Sequence, residues 1–146
     1  MTIDDAFEVD APVSRVWPVL MDVPKVATCI PNAEITEVID PRNYRAKVSI
    51  KVGPVSVSYT ATIVVESLDD ATHTATLNIK GDESKGRGGV QAKIVSQAAE
   101  HGGKTRVTLH TEAQISGIIA SVGGRLIEGV AKKTVAQFAD NLAALL

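Results

Sequence analysis

The chain opens on an alternation. Ile3, Phe7 and Val9 share one side of Thr2–Asp10, the pattern of a half-buried strand. Ala11-Pro12 then starts a short helix, because proline in a first turn loses nothing by lacking an N–H. Val13, Val16, Trp17 and Leu20 form its apolar stripe up to Met21, and Pro18 kinks it or keeps it short. Asp22-Val23-Pro24 begins a second short helix through Val26 to Cys29, and Pro31-Asn32 is a turn. A period of two then takes over. It predicts strands over Ala33–Ile39, Tyr44–Val52, Val55–Glu66, His73–Lys80, Val90–Ala99 and Thr105–Ile115. Between them lie turns at Gly53-Pro54, Asp69-Asp70 and His101-Gly102-Gly103, and a glycine-rich tip from Gly81 to Gly89. From Gly117 to Leu146 the pattern is that of one long helix.

Strands in meander order pair antiparallel. One strand, two short helices, six strands and a long helix make an α+β chain of helix-grip type, a curved seven-stranded antiparallel sheet around the C-terminal helix. The whole chain, 1–146, reads as one domain, without repeats or low-complexity segments. The strands have one wet face and one apolar face. The apolar face is short of bulk: Ala46, Ala61, Ala75, Ala92, Ala98 and Ala113 sit on it, and the last five strands add no Phe or Trp. Either large side chains of the helix fill the space, or the sheet encloses an apolar pocket, and the small residues favour the pocket. Along the helix, Ile118, Ile119, Val122, Leu126 and Val130 share one stripe, while Val135, Phe138, Leu142 and Leu145 form a second, rotated stripe. Gly123, Gly124 and Gly129 interrupt the first half. The second half is therefore expected to clamp the sheet and the first half to border an opening.

Composition narrows the function. Of 146 residues 45% are hydrophobic but only 3% aromatic, and 15 basic against 17 acidic residues give a net charge of −2. That balance excludes the basic excess of a nucleic-acid protein. The single cysteine, Cys29, forbids an internal disulfide and fits a reducing compartment and a small buried residue. The N-terminus has no signal-peptide pattern, and no apolar run reaches the ~18 residues of a membrane span. The chain stops in an uncapped apolar helical pattern, so the natural chain is expected to continue.

Candidate chemistry is sparse. His73, His101 and His110 have no metal-ligand spacing. Gly81 to Gly89 resembles a phosphate loop only in its glycines, since Arg87-Gly88 stands where Lys-Ser/Thr is needed and a strand follows. It reads either as a solvated hairpin tip or as a flexible lid whose Lys85 and Arg87 meet acidic head groups. On the inward face only Tyr44, Tyr59 and His73 titrate. An acid–base enzyme needs a carboxylate or imidazole in its pocket, so binding of a hydrophobic small molecule is expected, without catalytic residues, metal or covalent cofactor.

Several segments together resemble the carbon monoxide dehydrogenase G-subunit family of the START-like superfamily. They are Phe7-Glu8-Val9 with Ala11-Pro12, Val16-Trp17, Leu20 and Asp22; Cys29-Ile30-Pro31 with Ala33; Lys51-Val52-Gly53-Pro54 with Tyr59; Gly81, Gly86 and Gly89 before Ala92; and Ser116-Gly117-Ile118-Ile119-Ala120 with Gly123, Arg125-Leu126-Ile127 and Phe138. Asn32 stands where the family usually has Gly. The resemblance implies a helix-grip fold with a hydrophobic cavity. It further implies an accessory of molybdenum-containing carbon monoxide dehydrogenase at the cytoplasmic face of the cell membrane, with a membrane quinone such as menaquinone as guest. Members often carry a C-terminal extension with a membrane-anchoring end. On this reading the guest's tail lies along Ile63, Leu77, Ile79, Ile94 and Leu109, beneath Ile118, Val122, Leu126 and Val130, and Tyr59 or Trp17 meets its head. Two alternatives stay open: a maturation or membrane-recruitment factor acting through its surface, and a cyclase-like enzyme of the same superfamily.

Overall fold

A computed structural model describes residues 1–146. Strand β1 (Thr2–Val9) leads into helices α1 (Val13–Leu20) and α2 (Val23–Thr28). Strands β2 (Ala33–Asp40), β3 (Asn43–Val52), β4 (Val55–Asp69), β5 (Thr74–Glu83), β6 (Gly89–His101) and β7 (Lys104–Ile115) follow, and helix α3 (Gly124–Ala144) ends the chain. The sheet order is β1-β7-β6-β5-β4-β3-β2, every pair antiparallel. The helix-grip arrangement expected from the element order is the one observed.

Local chemistry sets the boundaries. Asp22 caps α2 by accepting from the Lys25 N–H at 3.2 Å, and Pro24 occupies its first turn. Helix α1 has only eight residues, with Pro18 inside it. Asn32 takes the left-handed conformation (φ 61°), which asparagine tolerates better than most residues. Strand β4 outruns its expected end and bulges between Val65 and Ser67, which turns Leu68 inward. His73 stands in a turn rather than in β5 (φ 51°), its ring edge-on to Trp17 at 5.2 Å.

The long helix begins later than its period indicates. Gly117 (φ 85°) and Gly123 (φ 95°) break the backbone, with one turn of 3₁₀ helix at Ala120–Val122 between them. Ile118, Ile119 and Val122 therefore belong to a connecting segment, though they still meet Ile127 and Val130 of α3 in one apolar cluster. Of the second stripe, Phe138 and Leu142 are buried, and Leu145 is half exposed at the chain's end.

The glycine-rich stretch is a hairpin whose tip, Ser84–Gly86, is exposed as a solvated tip would be, and whose returning arm is pinned. Strand β5 runs through Gly81 to Glu83 and β6 restarts at Gly89. Ser116 N–H donates to Gly89 O, and Ile118 N–H to Arg87 O, both at 2.9 Å, lacing the turn to the segment after β7. The two backbones touch where Gly88 faces Gly117. A Cβ on Gly88 would fall 2.2 Å from Ser116 O, and one on Gly117 would fall 1.8 Å from Arg87 O.

On the outer face, His110 lies between Asp4 and Glu112. Its hydrogen bond to Asp4, then that carboxylate's charge, raises the imidazole's pKa.

Gly117→Ala should fold poorly or melt many degrees lower, because no neighbouring side chain can yield and φ is positive. Gly86→Ala in the same hairpin (φ 74°, nothing within 4 Å of an added Cβ) should cost only about 1–2 kcal/mol, the left-handed penalty. Thermal melting of both variants checks the contrast.

Candidate functional site

The sheet's pairing register stacks inward side chains into rows that cross the strands. Tyr44, Ile63, Ile79, Ala92 and Ala113 form one; Val65, Leu77, Ile94, Thr111 and Ile3 the next; Leu68, Ala75, Ser96, Leu109 and Asp5 a third. On the other side of the first row run Ala46, Ala61, Gly81, Val90 and Ile115, and beyond them Val48, Tyr59 and Glu83. Ile63, Leu77, Ile79, Ile94 and Leu109 are thus contiguous on the concave face, and all five are only partly buried.

Helix α3 does not seal them. Its closest approaches are to β1 and β3, on opposite sides of the sheet. At its start, a Cβ added to Gly124 would lie 3.1 Å from Met1 Cε, and one added to Gly53, in the β3–β4 turn, would lie 3.4 Å from Leu126 Cδ1. Fourteen residues on, Phe138 meets Phe7 edge to face at 5.7 Å. The ~21 Å rise of that helical stretch matches the ~20 Å from Met1 to Phe7, so α3 runs alongside β1. The helix bridges the rims of the curled sheet and leaves the centre of β4–β7 below it.

The core reflects this. The buried apolar residues form four clusters instead of one. Val9, Val16, Cys29, Phe138 and Leu142 join α1, α2 and the end of α3. Trp17 packs on Ala75, Ala98 and Val107. Val23, Tyr44 and Val65 gather Ile63 and Leu77. Val52, Val57, Tyr59 and Ile119 gather Ile118, Val122, Ile127 and Val130. Ile79, Ala92 and Ile94 belong to none. The accessible surface, 8091 Å², exceeds by about 900 Å² the ~7,200 Å² expected for a compact monomer of 15.4 kDa. Four separate clusters, with central apolar side chains outside them, are the packing of a sheet face that α3 covers only in part. Two surface depressions, of about 680 and 590 Å³, include residues of this face in their linings, Ile79, Ala92 and Ala113 in the first and Asp5 and Leu109 in the second. They are open troughs among outward polar side chains such as Asn78, Lys80, Gln91 and Gln114, or Asp4, Gln97 and His110, and suit an apolar guest poorly.

The sequence-expected residues divide by position. Ile118, Val122 and Val130 meet Tyr59 at one end of the space. Leu126 is 47% exposed at the rim. Trp17 lies at the other end, its indole N–H donating to Asp70 at 2.8 Å. From Ala75, under Trp17, to Glu83, beside Tyr59, β5 spans about 26 Å at ~3.3 Å per residue. One head group cannot meet both rings.

Two inward carboxylates were not among the residues expected from the sequence. Asp5 occupies the strand parity of Ile3, Phe7 and Val9, and its Oδ2 is enclosed without a partner. Glu83 continues the parity of Leu77 and Ile79 once β5 is carried through Gly81. It is 4% exposed, and Arg87 Nε donates to it at 2.6 Å; the N–H groups of Lys85 (2.9 Å) and Arg87 (3.2 Å) donate as well. The Arg87 hydrogen bond, opposed by burial and helped by the backbone donors, lowers its pKa. Arg87 is therefore engaged inside the hairpin, whereas Lys85 is exposed.

The element order and the antiparallel sheet gripping α3 define a START-like, helix-grip fold. The chain matches, over residues 6–146, the family described as the G subunit of carbon monoxide dehydrogenase (CoxG), and it belongs to that family. A conserved protein from Geobacillus kaustophilus is similar in structure at TM-score 0.87, with 26% identity over 99% of this chain and 93% of that one. The Zhui aromatase/cyclase from Streptomyces sp. R1128 is similar at TM-score 0.67 and 16% identity, covering 99% of this chain and 92% of that one. A START superfamily protein from Mycobacterium smegmatis is similar at 0.63 and 12%, covering 98% and 94%. The last two likenesses establish the fold alone. No curated protein sequence matches. No helix is long and apolar enough to cross a membrane.

Two outcomes test this geometry. Ala92→Phe places a ring in the centre of the concave face. Over-packing a filled core costs about 1–3 kcal/mol and several degrees of melting temperature. With open space beneath α3, the melting temperature should hold or rise. Glu83→Gln should melt below the parent protein at neutral pH. A carboxyl whose folded pKa is depressed contributes above its ordinary value and loses that contribution as pH falls through the lowered one. The gap between the two proteins should therefore close in acid, as pH-dependent melting curves would record.

Proposed function

We propose that this protein is an accessory carrier for a carbon monoxide dehydrogenase. It takes a long-chain hydrophobic molecule, a membrane quinone such as menaquinone, into the space between sheet and α3 and presents it to the oxidoreductase. The observation that carries the reading is the apolar centre of the concave face. Ile63, Leu77, Ile79, Ile94 and Leu109 stay partly exposed beneath a helix that rests on the sheet's margins. Apolar surface left open in this way gains stability when an apolar guest covers it. An elongated space of about 26 Å suits a prenyl tail better than a compact substrate.

Family membership supports that choice of partner. The inward face also favours carriage over chemistry. Glu83 is closed into its hairpin and Asp5 Oδ2 is enclosed, so neither is placed as an acid or base for a guest. The start of α3 combines exposed Leu126 with Arg125 and lies against exposed Met1. Apolar side chains beside a basic one suit contact with an anionic membrane surface, from which a quinone could be drawn.

Protein purified from a quinone-containing host should release a prenylated quinone on organic extraction, detected by mass spectrometry at near-stoichiometric amounts. An extract free of long-chain apolar molecules, together with no uptake from quinone-loaded vesicles, would refute the carrier.

A further inference from the structure

We infer that the guest's polar end is a hydrogen-bond acceptor, a carbonyl oxygen held by the Tyr59 hydroxyl beside the β5–β6 hairpin, with the tail running toward Trp17. The inference rests on the carrier reading above and gives it a direction and a head-group chemistry.

Tyr59 is 5% exposed and packs among Val52, Val57 and Ile119. Its ring lies over Gly81, where an added Cβ would be 3.6 Å from Tyr59 Cβ and Cδ1. The fold thus seats the phenol firmly, yet nothing in the protein accepts its O–H. Glu83 lies directly across the strand pair, but the Lys85 and Arg87 donors hold both of its oxygens.

The other aromatic donors of this face are engaged. Tyr44 donates to Pro41 O at 2.7 Å and Trp17 to Asp70 at 2.8 Å. Burial first, then the charge of Glu83, push the Tyr59 pKa up, so the phenol keeps its proton. The hydroxyl has no partner in the protein and, unlike Asp5 Oδ2, is not closed off from solvent, so a ligand carbonyl arriving beside the apolar cluster can accept from it.

The rival anchor is Asp5 Oδ2, an acceptor that would select a donor-bearing head and reverse the guest. It is enclosed away from solvent, and Asp5 Oδ1 already accepts from Ala6 N–H at 2.8 Å. Asp5 Oδ2 is thus the enclosed atom of the two, and the Tyr59 hydroxyl is not.

The test compares two probes, a naphthoquinone with a short isoprenoid tail and an isoprenoid hydrocarbon of equal length without the ring. Their affinities for the parent protein, Tyr59→Phe and Asp5→Asn are measured by calorimetry beside thermal melting. Tyr59→Phe should bind the quinone about tenfold more weakly, the worth of one hydrogen bond, and the hydrocarbon equally well. Its melting temperature should be unchanged, since the hydroxyl has no partner to lose. Asp5→Asn should bind both probes as the parent does. Unchanged quinone affinity in Tyr59→Phe would overturn the inference, as would an equal loss for both probes or a loss confined to Asp5→Asn. A parent protein that binds the hydrocarbon but not the quinone would overturn it while leaving an apolar carrier standing. A parent protein that binds neither probe would remove the carrier reading itself.

Discussion

A single α-helix is too narrow to cover a seven-stranded sheet, and the rest of this structure follows from that mismatch. Strands spaced about 4.8 Å apart make a sheet roughly 29 Å wide, whereas a helix with its side chains measures about 10–12 Å. Curling brings the sides of the sheet to the helix. It cannot bring the middle, so α3 approaches β1 and β3 most closely and the rows crossing β4–β7 lie beneath it without full cover. The usual remedy is bulky side chains at the centre. Here the central rows carry Ala61, Gly81, Ala92 and Ala113, and the large aromatics stand at the ends. The missing cover is a property of the fold that the side-chain choice has kept.

Rigidity is concentrated where the space meets the surface. At one end, Gly88 and Gly117 let two backbones touch, and a buried carboxylate gathers the hairpin around itself. At the other, α1 and α2 close the sheet with Trp17, which is held by Asp70 and packs against small residues. Between these fixed ends, the start of α3 lacks a side-chain cap and follows a glycine-only conformation at Gly123. It is held by side-chain contacts such as Leu126 against Gly53, not by backbone lacing. Fixed ends and a lightly fastened roof suit a protein that admits and releases a guest more than one that must hold reacting groups in register.

The same fold carries cyclase chemistry in a protein at 16% identity, so architecture alone does not separate carrier from enzyme. The contents of the concave face bear on the question. Its histidine is turned into a hairpin against Trp17, and its carboxylates are engaged or enclosed. Of its aromatic hydrogen-bond donors, the one without a partner is a phenol that keeps its proton. Such a face can recognise and orient, and it has little with which to move protons.

Strand parity, turn positions and the order of elements were legible in the sequence because they depend on neighbours two to four residues away. From them came the helix-grip fold, the apolar concave face and the contiguity of Ile63, Leu77, Ile79, Ile94 and Leu109. The family was legible too, through short motifs spread along the chain. Asp5 was hidden in plain alternation, since a strand that buries Ile3, Phe7 and Val9 must turn Asp5 the same way. Glu83 was hidden because a glycine-rich stretch reads as a loop, and only pairing with β4 shows that β5 continues through it. The start of α3 was misplaced because apolar spacing is blind to the positive φ of Gly117 and Gly123. What only the tertiary structure decided is distance: that Trp17 and Tyr59 lie at opposite ends of the space, that the hairpin is pinned, and that the helix rests on the rims. Those facts depend on how far a curled sheet can close around one helix, and no local pattern records that.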